Sequence, residues 1–153
     1  MMLSTILNDD VTVKPKGYQQ RYTFQQRSEE SKRIMEKYPN RLPIIVEKSS
    51  QCGEDIPNID KNKYLVPEDL TIGQFLYVIR KRIRLPSTKA LYITTASGTM
   101  PPSSQHIKSL YEKYKDPDEF MYLQYSGEST FGNLSFADFV SAKRSRRQRE
   151  AQP

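Results

Sequence analysis

Polar and apolar positions alternate with two different periods along the chain, and each period marks a different kind of element. Over residues 41–48, RLPIIVEK, Leu42, Ile44 and Val46 fall on one face and Pro43 and Ile45 on the other, which predicts a strand apolar on both sides. A strand of that kind needs a covering layer on each face. Pro43 lacks an N–H, so its hydrogen bonding is expected to be imperfect. A second strand is expected at 62–67, a third at 89–95 and a fourth at 120–125, FMYLQY. Helical spacing takes over in 71–84, where Ile72, Phe75, Leu76, Ile79 and Ile83 form one apolar stripe. Thr71 and Gln74 have the spacing of a capping box, and Pro86 stops the helix.

A weaker stripe, Arg27, Ser31, Ile34, Met35 and Tyr38, predicts a helix over 22–38 that Pro39-Asn40 ends. A shorter helix is expected to open at Pro101-Pro102 and Ser103, with Ile107, Leu110, Tyr111 and Tyr114 on one face. Turns are expected at Ala96–Thr99 and at Lys115–Asp118, where Asp116, Asp118 and Glu119 read as turn acids. Residues 49–60 read as a polar loop. The order is helix, then β-β-α-β-α-β. It implies an α+β domain with a four-stranded mixed sheet wrapped around its long helix. That is a ubiquitin-like β-grasp preceded by N-terminal helical structure.

Three regions follow: an N-terminal arm over 1–21, a domain over 22–132 and a C-terminal tail over 133–153. The 16 aromatics, six Phe and ten Tyr, supply much of the core. The net charge of +6 permits attraction to acidic membranes, acidic peptides or nucleic acid and chooses none of them. Half of it belongs to the tail, where Lys143, Arg144, Arg146, Arg147 and Arg149 face only Asp138 and Glu150. A single cysteine, Cys52, rules out an intrachain disulfide and a multi-thiolate metal site, so no metal is expected. With His106 it would make a catalytic pair only if two separate elements brought them together. No apolar run approaches the ~20 residues of a membrane-spanning helix, and no basic segment precedes an apolar one at the N-terminus. A cytoplasmic protein is the expectation.

Three separated motifs carry a resemblance: EKYPNRLPIIVEK at 36–48, IPNIDKNKYLVPEDLTIGQFLYVIRKRIR at 56–84, and YLQYSGESTFG at 122–132. In this order they resemble the autophagy ubiquitin-like modifiers, which include the microtubule-associated light chain 3 and GABA-receptor-associated proteins. The resemblance runs from about Phe24 to Gly132. It implies that a processing cysteine protease cuts the Gly132–Asn133 bond. An activating and a conjugating enzyme then couple the new carboxylate to phosphatidylethanolamine. The chain is their substrate, not an enzyme, and needs no cofactor beyond the attached lipid. It would become associated with the autophagosome membrane. Glycine suits the end of such a chain because a side chain would crowd a narrow active-site channel. Ser126-Gly127 are expected to be flexible neighbours that help the terminus reach.

The resemblance further implies a surface that reads short peptides, in cargo receptors, with an aromatic residue and an aliphatic one three positions later. The aromatic pocket would use Glu30, Ile34, Pro43, Ile45, Lys63, Leu65 and Phe120. The aliphatic pocket would use Tyr64, Val66, Pro67, Leu70, Phe75 and Val78. Lys61, Lys63 and Arg80 would steer acidic flanks. Two alternatives stay open. One is an unconjugated peptide-binding adaptor. The other is a basic RNA-binding protein using IRKRIR at 79–84 and the tail. The chain departs from the family in a longer N-terminal arm, an expanded loop at 50–54 and the 21 residues after Gly132.

Overall fold

The computed structural model describes residues 16–128. Eight elements follow one another: α1 (Tyr18–Arg21), α2 (Phe24–Lys37), β1 (Arg41–Lys48), β2 (Lys63–Pro67), α3 (Ile72–Arg82), β3 (Tyr92–Thr95), α4 (Ile107–Tyr114) and β4 (Met121–Ser126). The strands lie in the order β2-β1-β4-β3. β1 is antiparallel to β2 and parallel to β4, and β3 is antiparallel to β4. This mixed four-stranded sheet with helices ahead of it is the ubiquitin-like β-grasp expected from the pattern.

β1 explains the two-sided layering. Leu42, Ile44 and Val46 join the main core with Ile72, Phe75, Ile79 and Ile83 from the α3 region. Ile45 points the other way and joins a second cluster with Tyr18, Ile34 and Phe120. Pro43 fits this central strand for a specific reason. Val46 donates its N–H to the Asn62 carbonyl, so even-numbered residues of β1 turn their backbone groups toward β2. Pro43 therefore faces the β4 side, one residue before that ladder begins at Ile44↔Met121. Its missing N–H falls where the ladder has no partner.

The start of α3 is fully capped. Gln74 N–H donates to Thr71 Oγ1 at 3.2 Å, and Thr71 N–H donates to Gln74 Oε1 at 2.9 Å. The two N–H groups before Gln74 find carbonyls from a distant segment: Ile72 donates to Gln105 and Gly73 to Ser103, both at 2.9 Å. A Cβ on Gly73 would lie 3.3 Å from Ser103, so glycine permits this approach. Replacing Thr71 with alanine will destabilise the fold by about 1 kcal/mol, read from the urea midpoint at unchanged slope.

Some boundaries differ from the expectation. Residues 103–106 do not start a helix; the Ser103 and Gln105 carbonyls accept from the start of α3, and α4 begins only at Ile107. β3 begins at Tyr92, not at residue 89. The helix expected over 22–38 is α2, which starts at Phe24. Thr23 caps α2 in a second capping box with Gln26, and the short α1 precedes it inside the region expected to be an arm. Ser126 and Gly127 are held, not loose. Ser126 is a buried end of β4, and a Cβ on Gly127 would lie 2.8 Å from Ile56 Cγ1. Glycine is needed there for close packing.

Candidate peptide-docking site

β2 lies at the edge of the sheet. Its register pairs Ile44 with Tyr64 and Leu42 with Val66, so Tyr64 and Val66 turn their backbone groups inward to β1. Lys63 and Leu65 turn theirs outward. Pro67 closes the strand and has no N–H to offer. The outward row therefore presents two donors, the N–H groups of Lys63 and Leu65. The Leu65 carbonyl on the same row accepts from Arg41 Nη1 at 3.1 Å.

Side chains divide the other way. Lys63 and Leu65 project to the α2 face, Tyr64 and Val66 to the α3 face. On the α2 face Ile34, Ile45 and Phe120 are buried, Pro43 is buried beside them in sequence, and Leu65 packs on their cluster from a half-buried position. Above them Lys63 Nζ meets Glu30 Oε1 at 2.7 Å. That hydrogen bond is the main cause holding the Glu30 carboxyl below its ordinary range. Of the seven residues expected to form an aromatic pocket, Ile34, Ile45, Phe120 and Leu65 share one apolar cluster, and Glu30 and Lys63 form an ion pair between α2 and β2.

On the α3 face Phe75 and Val66 are buried, and Tyr64 meets Phe75 edge-on with ring centroids 5.9 Å apart. Pro67 and Leu70 are half-buried, and Val78 is exposed. The Tyr64 hydroxyl is buried without a hydrogen-bond partner, and burial raises its pKa to about 12. Lys61 Nζ sits over the Tyr64 ring, 5.3 Å from its centroid. Arg80 does not stand free to steer a ligand. Its guanidinium donates to the carbonyls of Pro86 and Lys89, at 3.2 and 2.6 Å. Neighbouring Arg82 is held by both carboxylate oxygens of Asp60, so the basic run of α3 is partly spent within the fold.

The sequence pattern missed the support behind the α2 face. Tyr18 packs edge-on against Phe120, with centroids 5.5 Å apart, and Tyr122 meets the same ring edge-on at 6.4 Å. The only trace in the sequence is the i, i+4 spacing of Tyr18 and Tyr22. Asp118, expected to be a turn acid, is fully buried and accepts from Arg27, the Tyr122 hydroxyl and the Phe120 N–H. Cys52 is half-buried in the loop after β1, and His106 precedes α4; neither belongs to this site. Gly132, Asn133 and the tail lie outside the described residues.

Comparison with known proteins gives the frame for this geometry. The family model "Autophagy protein Atg8 ubiquitin like" matches residues 26–132. The chain belongs to the Atg8 family. Autophagy-related protein 8a of Arabidopsis thaliana is 54% identical over 111 residues, covering 72% of this chain and 88% of that protein. Autophagy-related protein 8 of Vanderwaltozyma polyspora is 52% identical, over 77% of this chain and 98% of its own length. The crystal structure of Trypanosoma brucei ATG8 aligns with a TM-score of 0.71 at 45% identity, over 78% of this chain and 100% of that one. As an Atg8-family protein, the chain is a ubiquitin-like modifier of autophagy and not an enzyme.

Proposed function

We propose that this Atg8 chain is cut after Gly132, joined through that residue to phosphatidylethanolamine, and then collects cargo receptors and adaptors on the autophagosome membrane through the β2 edge. The partners of this cycle are a processing cysteine protease and the activating and conjugating enzymes. The cytoplasmic form becomes membrane-associated when the lipid is attached. One acyl chain anchors only marginally at ~0.8 kcal/mol per buried methylene, and a two-chain lipid supplies the second anchor. The family match ends at Gly132, which supports that position as the end of the working protein.

The observation that carries the docking part is the edge position of β2, with an apolar cluster on each of its two sides among the described residues. A peptide adding to this edge takes backbone bonds from Lys63 and Leu65. Its side chains alternate, so residues three apart point to opposite faces. An aromatic residue directed to the α2 face therefore places the aliphatic residue three positions later on the α3 face. That parity accounts for a two-residue gap between the anchors. Lys61 and Lys63 favour acidic flanks, Lys63 by sharing its ammonium between Glu30 and the peptide, whereas the Arg80 guanidinium is turned to the Pro86 and Lys89 carbonyls.

Lys63→Glu tests this reading, because it sets a second carboxylate beside Glu30 and removes a flanking cation. The variant will bind an acidic Phe-x-x-Leu peptide about tenfold more weakly by fluorescence anisotropy. Unchanged affinity would show that the peptide binds elsewhere. Salt-sensitive RNA binding at unchanged peptide affinity would favour the nucleic-acid alternative.

A further inference from the structure

We infer that the uncut chain carries a ligand for its own docking edge, that the ligand is read by a second copy, and that processing destroys it. The inference rests on the docking reading above. It starts from Phe131-Gly132-Asn133-Leu134. Here an aromatic residue is followed three positions later by an aliphatic one, the spacing that the two faces of β2 require. Within residues 1–15 and 129–153 the spacing occurs only here, since Phe136 and Phe139 are followed at that distance by Phe139 and Ala142. Within the fold, Phe75 and Val78 are fixed on a helix, and Phe120 and Leu123 are buried. Glu128 stands three residues before Phe131, on the side where Lys61 and Lys63 favour an acid.

The sheet geometry decides between self and neighbour. A strand added outside β2 lies three strand spacings from β4, roughly 14 Å. Lys63 is level with Ile45, and Ile45 with Tyr122. Gly127, held against Ile56, lies five residues beyond Tyr122 along the strand, roughly 16 Å further. The backbone of Phe131 would have to travel about 20 Å from Gly127 to stand beside Lys63. Four residues span at most about 14 Å. The motif therefore reaches the edge of another molecule and not its own. Such a contact is heterologous, with the tail of one copy on the edge of the next.

The scissile bond lies inside the motif. Water adds across the Gly132–Asn133 amide, leaving a carboxylate on Gly132 and an ammonium on Asn133. Phe131 stays with the domain, and Leu134 leaves with the tail. The two anchors are then on separate molecules, and the β2 edge is open to other peptides. Processing thus removes a competitor for the docking site as well as exposing the carboxylate.

Sedimentation of the full 153-residue chain over a concentration series tests this. The apparent mass will rise with concentration above the monomer value of 17.8 kDa. Leu134→Ala will need about tenfold more protein to reach the same mass. A synthetic peptide of residues 126–140 will dissolve the association, and one of residues 126–132 will not. Association that persists in Leu134→Ala would overturn the inference. So would a chain that stays monomeric throughout while a synthetic acidic Phe-x-x-Leu peptide binds it; the docking reading would then stand alone. If that synthetic peptide also fails to bind, the docking reading falls, and this inference falls with it.

Discussion

Replacing Asp118 with alanine will lower the free energy of unfolding by ~3–5 kcal/mol. The carboxylate is 0% exposed, and the Arg27 side chain opposite it is 11% exposed. Arg27 Nη1 and the Tyr122 hydroxyl each donate to Oδ2 at 2.5 Å, and the Phe120 N–H donates to Oδ1 at 2.8 Å. Burial first, and then the Asp118 carboxylate, push the Tyr122 phenol upward, so it remains the donor. Alanine leaves the enclosed guanidinium with only the more exposed Asp116 carboxylate, 4.0 Å away, as counter-charge, and a backbone donor and a hydroxyl lose their acceptor. Asparagine keeps an acceptor and will cost less. Urea unfolding gives the difference, and a loss below about 1 kcal/mol would mean that water already shares the Arg27 charge.

The same change reaches the docking site. The Ser31 hydroxyl donates to the Asp118 carbonyl at 2.5 Å, so the residue 118 turn holds α2 through two of its side chains. α2 carries Glu30 and Ile34, which form the rim and part of the floor on that face. Asp118→Ala will therefore weaken peptide binding as well, under conditions where the variant is still folded. Core changes on the α3 face will not show this pattern on the α2 side.

Much of this arrangement was legible in the sequence because it depends on local period. The alternation in RLPIIVEK placed β1 between two apolar layers, and α3 was marked by its stripe and by Thr71 and Gln74. The division of Tyr64 and Val66 from Lys63 and Leu65 follows from the strand period alone. What was not legible depends on partners far apart in the chain. The helical stripe of α2 includes Arg27 and Ser31, polar residues with no local reason to face inward. They do so because Asp118 receives them. The carbonyls of Ser103 and Gln105 are drawn to the start of α3, which delays α4 despite the Pro101-Pro102 signal. Ser126-Gly127 read as flexible from composition, yet Ile56 packs on the glycine. Likewise Arg80 looked free on a basic helix end, and the carbonyls that occupy it come from the following loop.

Gly132→Ala is the second change of large expected effect, and it acts on chemistry, not on stability. The expected unfolding free energy of the variant is that of the wild type, read from urea unfolding. The proposed cycle passes this residue through three active sites in turn: proteolysis, activation of the carboxylate and transfer to the lipid amine. Each must admit the terminal residue closely enough to reach its carbonyl carbon. A Cβ obstructs that approach and restricts the backbone angles available to it. The loss will be near complete, because successive steps multiply their deficits.

The most direct measurement is the intact mass of the protein recovered from its own cells, beside the Gly132→Ala form. The wild type will lack residues 133–153 and part of its pool will carry the added mass of phosphatidylethanolamine, while the variant keeps its full length. Full-length protein in both samples would rule out processing at Gly132 and leave an unconjugated peptide-binding adaptor.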